Sequence, residues 1–227
     1  MYRINKNIDT KLLVNNSRGL PDKIYKRNIA PLLFSRSTPT TDSRGLLVPI
    51  NTPRIEKGPT DKTYAIFAEQ GASLTLPSQY ITPSEGTFTA GVYIPSWMGT
   101  TIKNSTIIGH ATSSLQNTIG FYHDNLSGLN RWVFRISDGF GNTQLLITNN
   151  TLSVGWHTIK LTWSPTRTAF YWDDVLASEL TTGVVVPATS PTNFRIGAWW
   201  DGGSAWNSLI STIRISDLGN VLLDYNV

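Results

Sequence analysis

Apolar and polar residues alternate along residues 153–176, and this alternation predicts two antiparallel strands joined by a short turn. One side of the first strand carries Ile159 and Leu161, whereas the other side carries Trp156 and Lys160. A strand alternates in this way when one face packs on a core and the other meets water or a ligand. A Ser-Pro-Thr-Arg tetrapeptide then interrupts the pattern, and proline favours a turn there. The stretch therefore predicts a β-hairpin.

Shorter runs with strand-like composition recur through the rest of the chain. They are separated by turns rich in Gly, Asn, Asp and Ser, and no segment has a convincing helical period. Many short strands spaced by turn signals are typical of a sandwich. The sequence predicts an all-β jelly-roll β-sandwich with further strands at residues 64–68, 73–76, 88–94, 106–110, 118–123, 131–137, 143–148, 193–200 and 209–216.

Residues 1–62 show no sustained period, so we divide the chain into an extended N-terminal arm (1–62) and a β-sandwich (63–227). The arm's apolar pieces are too short to form a core of their own. A free linker has this composition, and so does an arm that orders on contact with a partner, which is the interpretation we favour. The expected apolar anchors are Leu12, Val14, Leu32, Leu33 and Phe34.

Charge separates these two parts. Residues 1–62 hold 12 Lys/Arg and 5 Asp/Glu, whereas residues 63–227 hold 7 Lys/Arg and 10 Asp/Glu. The pI near 9.4 therefore belongs to the arm. The arm's basic residues are spread singly and few aromatic residues accompany them, so we expect docking on an acidic protein surface and no nucleic-acid binding.

Several classes of protein are disfavoured by composition. The chain has no cysteine, which excludes disulfides and thiolate metal sites. The N-terminal stretch lacks the apolar region of a secretory signal, and no run approaches eighteen apolar residues. We therefore expect neither a signal peptide nor a membrane span.

Four motifs from residue 88 onward resemble the concanavalin A-like lectin/glucanase superfamily in its laminin-G-like branch. They are FTAGVYIP at 88–95, VGWHTIKLTW at 154–163, AFYWDDVL at 169–176, and the pair NFRIG at 193–197 with ISTIRIS at 210–216. The likeness covers about residues 63–227. It departs from the family at Asp174, where a turn glycine is usual, but aspartate visits the left-handed region more easily than most residues. The resemblance implies two packed antiparallel sheets and, frequently, a carbohydrate ligand.

Glucanases of this superfamily place two carboxylates on one strand, two or four residues apart. Retaining hydrolysis needs such a pair because one carboxylate acts as nucleophile and the other as acid. None of the four glutamates here, which are Glu56, Glu69, Glu85 and Glu179, stands two or four residues from another acid. We therefore expect no enzyme of that type.

Aromatic residues near the end of the chain suggest a sugar-binding loop at 197–207. If alternation continues from residue 193 to 200, Trp199 falls on the side away from the core, with Asp201 and Asn207 nearby. We expect Trp206 and every other tryptophan except Trp199 and Trp97 to fill the core. Tyr93 and Arg135 lie opposite the apolar sides of their strands and are expected to line the same sheet surface. The candidate carbohydrate-binding residues are Trp199, Asp201, Asn207, Trp97, Tyr93 and Arg135.

Histidines and acidic loops give little sign of a metal. His110, His123 and His157 are scattered, and His157 reads as a satisfied core histidine. The loops at 138–142 and 201–207 carry Asp and Asn oxygens, so calcium binding is possible there. Neither loop has the dense acidic spacing of a known calcium motif. We expect no cofactor.

These observations favour a non-catalytic lectin-like adhesion protein that is fixed by its arm to other structural proteins of a larger assembly. We expect a bacteriophage virion, on the capsid or tail surface, with an oligomeric arrangement and a surface glycan as ligand. If the protein is not part of a virion, we expect it to be extracellular. Two alternatives stay open: a purely structural decoration or spacer protein, and a glycan hydrolase or lyase.

Overall fold

The described part of the chain is built almost wholly from antiparallel strands. The computed structural model describes residues 39–41, 47–49, 54–57, 63–66, 73–100, 103–113, 116–126, 128–149 and 152–226. The strands are β1 (Pro39–Thr41), β2 (Leu47–Pro49), β3 (Arg54–Lys57), β4 (Thr63–Ile66), β5 (Leu74–Pro77), β6 (Gly86–Ile94), β7 (Ser105–His110), β8 (Ile119–Asp124), β9 (Arg131–Ser137), β10 (Thr143–Asn149), β11 (Gly155–Ser164), β12 (Arg167–Trp172), β13 (Val175–Leu180), β14 (Asn193–Ile196), β15 (Leu209–Asp217) and β16 (Asn220–Asn226). A 3-10 turn at Ser78–Tyr80 is the one helical segment in these ranges, and none of their helices is long or apolar enough to cross a membrane.

Two large sheets form a sandwich. The six-stranded sheet has the order β10-β9-β8-β7-β14-β5, and the eight-stranded sheet runs β13-β12-β11-β6-β15-β4-β3, with β16 paired to β15. All strand pairs in these two sheets, within the described residues, are antiparallel. The predicted all-β jelly-roll sandwich is confirmed.

The core lies between the sheets and is rich in aromatic rings. Phe121 of β8 stacks on Trp132 of β9 with ring centroids 5.5 Å apart, and Trp172 of β12 meets Trp132 at 4.8 Å. Trp206 packs on the same ring and is fully buried. Each such ring removes a large apolar area from water, which is the main favourable contribution to folding.

Two tight hairpins set the register of β11, β12 and β13. Pro165 and Thr166 form the turn between β11 and β12, as predicted. Asp173 and Asp174 join β12 to β13 with φ angles of +47° and +64°. Both central residues of such a two-residue turn need positive φ, a conformation that aspartate tolerates better than most residues. Asp174 therefore does occupy the conformation that a glycine would favour.

The strand boundaries differ from prediction in three places. β14 ends at Ile196 rather than at residue 200, and Gly197 follows with a φ of +84°. β13 and β16 were not predicted as separate strands. Three of the described strands lie within residues 1–62. Of these, β3 pairs with β4 of the sandwich and so extends the eight-stranded sheet, whereas β1 and β2 form a separate two-stranded sheet. The anchors Leu12, Val14, Leu32, Leu33 and Phe34 lie outside the described residues.

Candidate functional site

The eight tryptophans divide between core and surface. Four are buried, namely Trp132, Trp163, Trp172 and Trp206, and the expectation for Trp206 is confirmed. Trp97, Trp199 and Trp200 are half-buried. Trp156 is 46% exposed, so the expectation that it fills the core is wrong. Alternation along β11 had already placed Trp156 on the Lys160 side, and that signal could have identified it.

Trp199 lies on a loop that folds back over the six-stranded sheet. The loop is fastened to β7 because Gly197 donates its N–H to Ile107 O at 2.8 Å and Thr106 donates to Ser204 O at 2.8 Å. A Cβ on Gly109 would come within 2.7 Å of the Trp199 carbonyl carbon. The loop backbone can therefore approach β7 so closely only because residue 109 has no side chain.

The indole ring of Trp199 covers Gly120 of β8. A Cβ at Gly120 would stand 2.4 Å from the Trp199 ring, so the ring rests on the bare backbone. Tyr122, two residues along β8, meets the ring edge to face at 5.5 Å and 78°. Gly120 is also the strand partner of Arg135 in β9. We call Trp199, Tyr122, Arg131, Arg135 and Asp124 the Trp199 face.

Charges surround Tyr122 on this face. Arg131 forms an ion pair with Asp124 at 2.8 Å. Burial raises the pKa of Tyr122, and the nearby Arg135 opposes that rise. The buried Arg135 Nε has no hydrogen-bond partner among the described residues. A buried guanidinium donor of this kind is costly until an acceptor reaches it.

Asp201 and Asn207 take part in the architecture of the same loop. Asp201 is exposed, and its Oδ1 accepts the Gly203 N–H at 2.8 Å. Asn207 has a φ of +47°, and its buried Oδ1 has no partner in the described region. Asp201 can still offer its second carboxylate oxygen to a ligand.

Tyr93 and Arg135 do not line one surface, and the prediction that they do is wrong. Tyr93 belongs to β6 of the eight-stranded sheet, whereas Arg135 belongs to β9 of the six-stranded sheet. Since each points away from the core, they lie on opposite faces of the sandwich. Tyr93 meets Trp156 of β11 edge to face at 5.6 Å and 74°.

Trp97 occupies a third position, in the turn after β6. The Nζ of Lys103 stands 4.5 Å from the centre of the Trp97 ring, a cation–π geometry. Burial lowers the pKa of Lys103. Trp97 therefore has a cationic partner of its own in the loop that leads to β7.

The histidines are held by hydrogen bonds. His157 contacts Asp173 Oδ2 at 2.7 Å through Nδ1 and the Ser153 carbonyl at 2.9 Å through Nε2, as expected for a satisfied side chain. His110 and His123 are buried, and burial lowers the pKa of both.

The loop at 138–142 satisfies its own acidic side chain. Asp138 accepts hydrogen bonds from the Phe140 N–H, the Asn142 N–H and the Asn142 amide. No group of three or more His, Cys, Asp or Glu side chains with metal-binding geometry occurs in the described ranges. The expectation of no cofactor, with calcium binding left open, stays a prediction.

Two clefts lie away from these residues. One, of about 220 Å³, is lined by Thr148, Asn149, Leu152, Trp172, Val175, Leu176 and Ala177. The other, of about 250 Å³, is lined by Glu85, Gly86, Thr87, Thr162, Trp163, Ser164, Arg167 and Leu218. Neither of these two clefts contains a predicted carbohydrate-binding residue.

Comparison with known proteins identifies a family. A model of the concanavalin A-like lectin/glucanases superfamily, of laminin-G type, matches residues 68–218. No curated protein sequence matches the chain.

Solved structures share the fold at low identity. The enzymatically active domain of tailspike protein 2 of bacteriophage CBA120 is 14% identical, with a TM-score of 0.57 over 86% of this chain and 31% of that one. The full-length tailspike protein 2 of an Escherichia coli O157:H7 bacteriophage is 16% identical, with a TM-score of 0.55 over 86% and 27%. Domains LG4-5 of the mouse laminin alpha1 chain are 12% identical, with a TM-score of 0.47 over 72% and 46%. The chain spans less than half the length of each of these three structures.

Proposed function

The chain belongs to the concanavalin A-like lectin/glucanases superfamily, and on that premise we propose that it is a non-catalytic glycan-binding protein. The observation that carries this proposal is the Trp199 face. There an aromatic ring is laid on Gly120, beside a tyrosine and an arginine whose buried Nε has no partner among the described residues.

The chemistry of this face suits a sugar. A pyranose ring presents apolar C–H groups on its faces and hydroxyls around its rim. Trp199 offers a flat apolar surface held in place by Gly120 and Tyr122, so little side-chain entropy is lost on binding. Tyr122 and Arg135 can donate hydrogen bonds to the rim hydroxyls. Asp201 can accept from them at the edge of the loop.

Binding without hydrolysis is favoured by the acidic residues. A glycosidase needs a carboxylic acid with a raised pKa and a second carboxylate roughly 5 Å away. The side chains of Asn142 and the backbone N–H groups of its loop lower the pKa of Asp138. Burial tends to raise the pKa of Asp173, but hydrogen bonds from Thr158 and His157 lower that pKa by more, so it lies below its ordinary value. These carboxyl groups are ionised at neutral pH and cannot serve as the acid.

One observation favours a glycan lyase as a second candidate. Tyr122 lies between arginines, and β-elimination from a uronate needs a base near a cation that neutralises the carboxylate. Burial, however, raises the pKa of Tyr122 and keeps its phenol protonated. Incubation with a uronate polysaccharide should therefore give no ultraviolet absorbance from an unsaturated product, and such an absorbance would replace binding by lysis as the function.

Anchoring in a larger assembly forms the second part of the proposal. We place the protein on a bacteriophage virion, where the segment before Arg54 binds other structural proteins and the sandwich faces outward. The fold shared with phage tailspike proteins and the basic character of residues 1–62 support this setting. Because β3 joins the sandwich sheet, we confine the anchoring role to residues that precede it.

Glycan binding by the full chain, beside its Trp199→Ala variant, tests the first part. A panel of neutral and acidic polysaccharides would be immobilised, and we expect the variant to lose about tenfold or more in affinity, as for a central aromatic anchor. Phe140→Ala is the matched control, because it removes a 91% exposed ring from the β9–β10 turn.

A second variant tests whether the loss of binding in Trp199→Ala comes only from a change in the loop structure. Arg135→Gln shortens the side chain and removes its charge but keeps a polar amide at its end, and thermal melting would verify the fold of each variant. Loss of binding in both variants with intact folding supports the site. Full binding in both would overturn it, and no binding by the wild type across the panel would favour a purely structural decoration protein.

A further inference from the structure

The outer side of the eight-stranded sheet carries a second aromatic surface. Trp156 of β11 and Tyr93 of β6 are directly opposite each other in register. Trp156 is 46% exposed, and the Tyr93 ring stands at its edge with centroids 5.6 Å apart. A tryptophan so exposed on a strand, while four others are buried, contributes little to the core and presents nearly half of its surface to solvent.

Hydroxyl groups lie next to these rings. One step along the strands, exposed Thr158 pairs with Gly91, and Gly91 pairs with exposed Thr212 of β15. Gly91 has no side chain between these hydroxyls, and the Ser211 hydroxyl lies so close to it that a Cβ at residue 91 would come within 2.2 Å. Thr212 Oγ1 accepts the Gly91 N–H at 3.1 Å, so its own proton is available to donate outward.

Two cations complete the surface. Lys160 and Arg214 both pair with Thr89, one from each side. Lys160 rests 5.2 Å from the Tyr171 ring. Asp224 lies opposite Arg214 on β16, yet among the described residues no carboxylate oxygen stands within 4.0 Å of either cation. Arg167, the other cation near Tyr171, is already paired with Glu179 at 2.8 Å.

The three groups follow one another in a line. Trp156 and Lys160 are four residues apart on one side of β11, a separation of about 13 Å along the strand. The surface is therefore aromatic at one end, hydroxylated in the middle and cationic at the other. We name it the Trp156 face, and it consists of Trp156, Tyr93, Thr158, Thr212, Lys160 and Arg214.

We propose that the Trp156 face is a second glycan-binding site, which takes an acidic polysaccharide along the strand direction. One sugar ring stacks on Trp156, the hydroxyls of Thr158 and Thr212 bind its neighbour, and a carboxylate further along pairs with Lys160 and Arg214. The unpaired cations select an acidic chain over a neutral one. The inference rests on the proposed glycan-binding function but names a separate face.

Binding of the full chain to acidic polysaccharides and to their carboxyl-esterified forms tests this site. The probes would be polygalacturonate, alginate and hyaluronan, each beside its ester, which keeps the backbone and removes the charge. We expect Trp156→Ala and the double variant Lys160→Gln/Arg214→Gln each to weaken binding of an acidic probe about tenfold, since a charge-assisted hydrogen bond contributes that much. Lys103→Gln is the control for loss of one positive charge outside this face.

The outcomes separate the two proposals. If the Trp156 and Lys160/Arg214 variants bind the acidic probe more weakly and Trp199→Ala binds it normally, the Trp156 face is the acidic-glycan site. This result does not depend on what the Trp199 face binds. Unchanged acidic binding in the first two variants, with binding lost in Trp199→Ala, overturns the inference and leaves the proposed function standing. Equal binding of acid and ester, or no binding of any acidic probe, also overturns it.

Discussion

His110 shows how burial alters the chemistry of a single residue. Its ring is fully buried, with Nδ1 donating to the Asn117 carbonyl at 3.0 Å and Nε2 within 3.2 Å of the Ser190 hydroxyl. Burial lowers its pKa from 6.5 to about 4, against the effect of the backbone hydrogen bonds. The folded protein therefore keeps the ring neutral over a pH range in which the unfolded chain protonates it.

This residue predicts how stability depends on pH. Below pH 6.5 the unfolded chain binds a proton that the folded chain rejects until about pH 4, so the free energy of unfolding falls as the pH drops. The contribution over that window is about 3 kcal/mol at most. Urea denaturation at several pH values between 7 and 4 measures it.

The His110→Gln variant supplies the comparison. Carboxyl groups titrate equally in both proteins, so the difference between wild type and variant isolates the histidine. We expect that difference to shrink from pH 7 to pH 4.5. Parallel stability curves would show that the ring does not resist protonation in the folded state.

Asp173 and Asp174 show what residue type alone can predict. A left-handed conformation was expected at Asp174 because the family resemblance places a turn glycine there, and its φ is +64°. The further role of Asp173 was not predicted. Its carboxylate accepts the Thr158 N–H and contacts His157, both at 2.7 Å. That role depends on the register between β11 and β12, which no local pattern contains.

At the scale of elements, the loop after β14 is shaped by the glycines beneath it. Alternation was extended to residue 200, but Gly197 ends the strand and the loop turns back over β7 and β8. Trp199 nevertheless reaches the outer face, for a different reason from the one predicted. It is placed there by the bare backbone at Gly109 and Gly120 and not by strand alternation.

Gly120→Ala tests this packing. The added methyl would stand 2.4 Å from the Trp199 ring, so the ring must move. We expect a loss of about 1–3 kcal/mol in unfolding free energy, as for other overpacked sites, together with about tenfold weaker glycan binding if the ring is a central anchor. Tryptophan fluorescence and the glycan panel measure the two effects.

Gly139→Ala is the matched control for that substitution. Its added methyl meets nothing nearer than 3.4 Å, at Asn117 Oδ1. It should leave fluorescence and binding unchanged. Full binding by Gly120→Ala, with a displaced ring, would remove Trp199 from the site.

At the scale of the whole molecule, the sandwich presents two outer faces of different chemistry. The Trp199 face combines an aromatic ring with an ion pair and an arginine whose Nε is buried. The Trp156 face combines an exposed aromatic ring with hydroxyls and with two cations that have no carboxylate partner among the described residues. Two packed sheets lie about 10 Å apart, so sites on their outer sides share no residues.

Independence of the faces is a prediction for the intact chain. Trp156→Ala and Trp199→Ala should each weaken one kind of glycan binding about tenfold and spare the other, and the double variant should weaken both. Their effects on unfolding free energy should add to within about 0.5 kcal/mol, as for distant sites. A single substitution that removes every interaction with the glycan panel would indicate one site instead of two.

The sequence by itself determined most strands of the sandwich, the side of most of those strands that faces the core, and the family. Those features depend on alternation, turn residues and short motifs, which are local. Alternation in the sequence correctly placed Trp156 on the polar side of β11, and residue types correctly located the turns at Pro165 and Asp174.

Only the tertiary structure decided which outward residues share a face. Strand alternation says that Tyr93 and Arg135 point away from the core, but their sheets are set by pairings between distant segments, so the two residues lie on opposite sides. The contact between Trp199 and Gly120 was also decided by the tertiary structure. These residues are far apart in the sequence and meet because β14 is hydrogen-bonded to β7 and β7 to β8. Contacts of this kind result from the packing of the whole chain, because the residues that form them carry no shared local pattern.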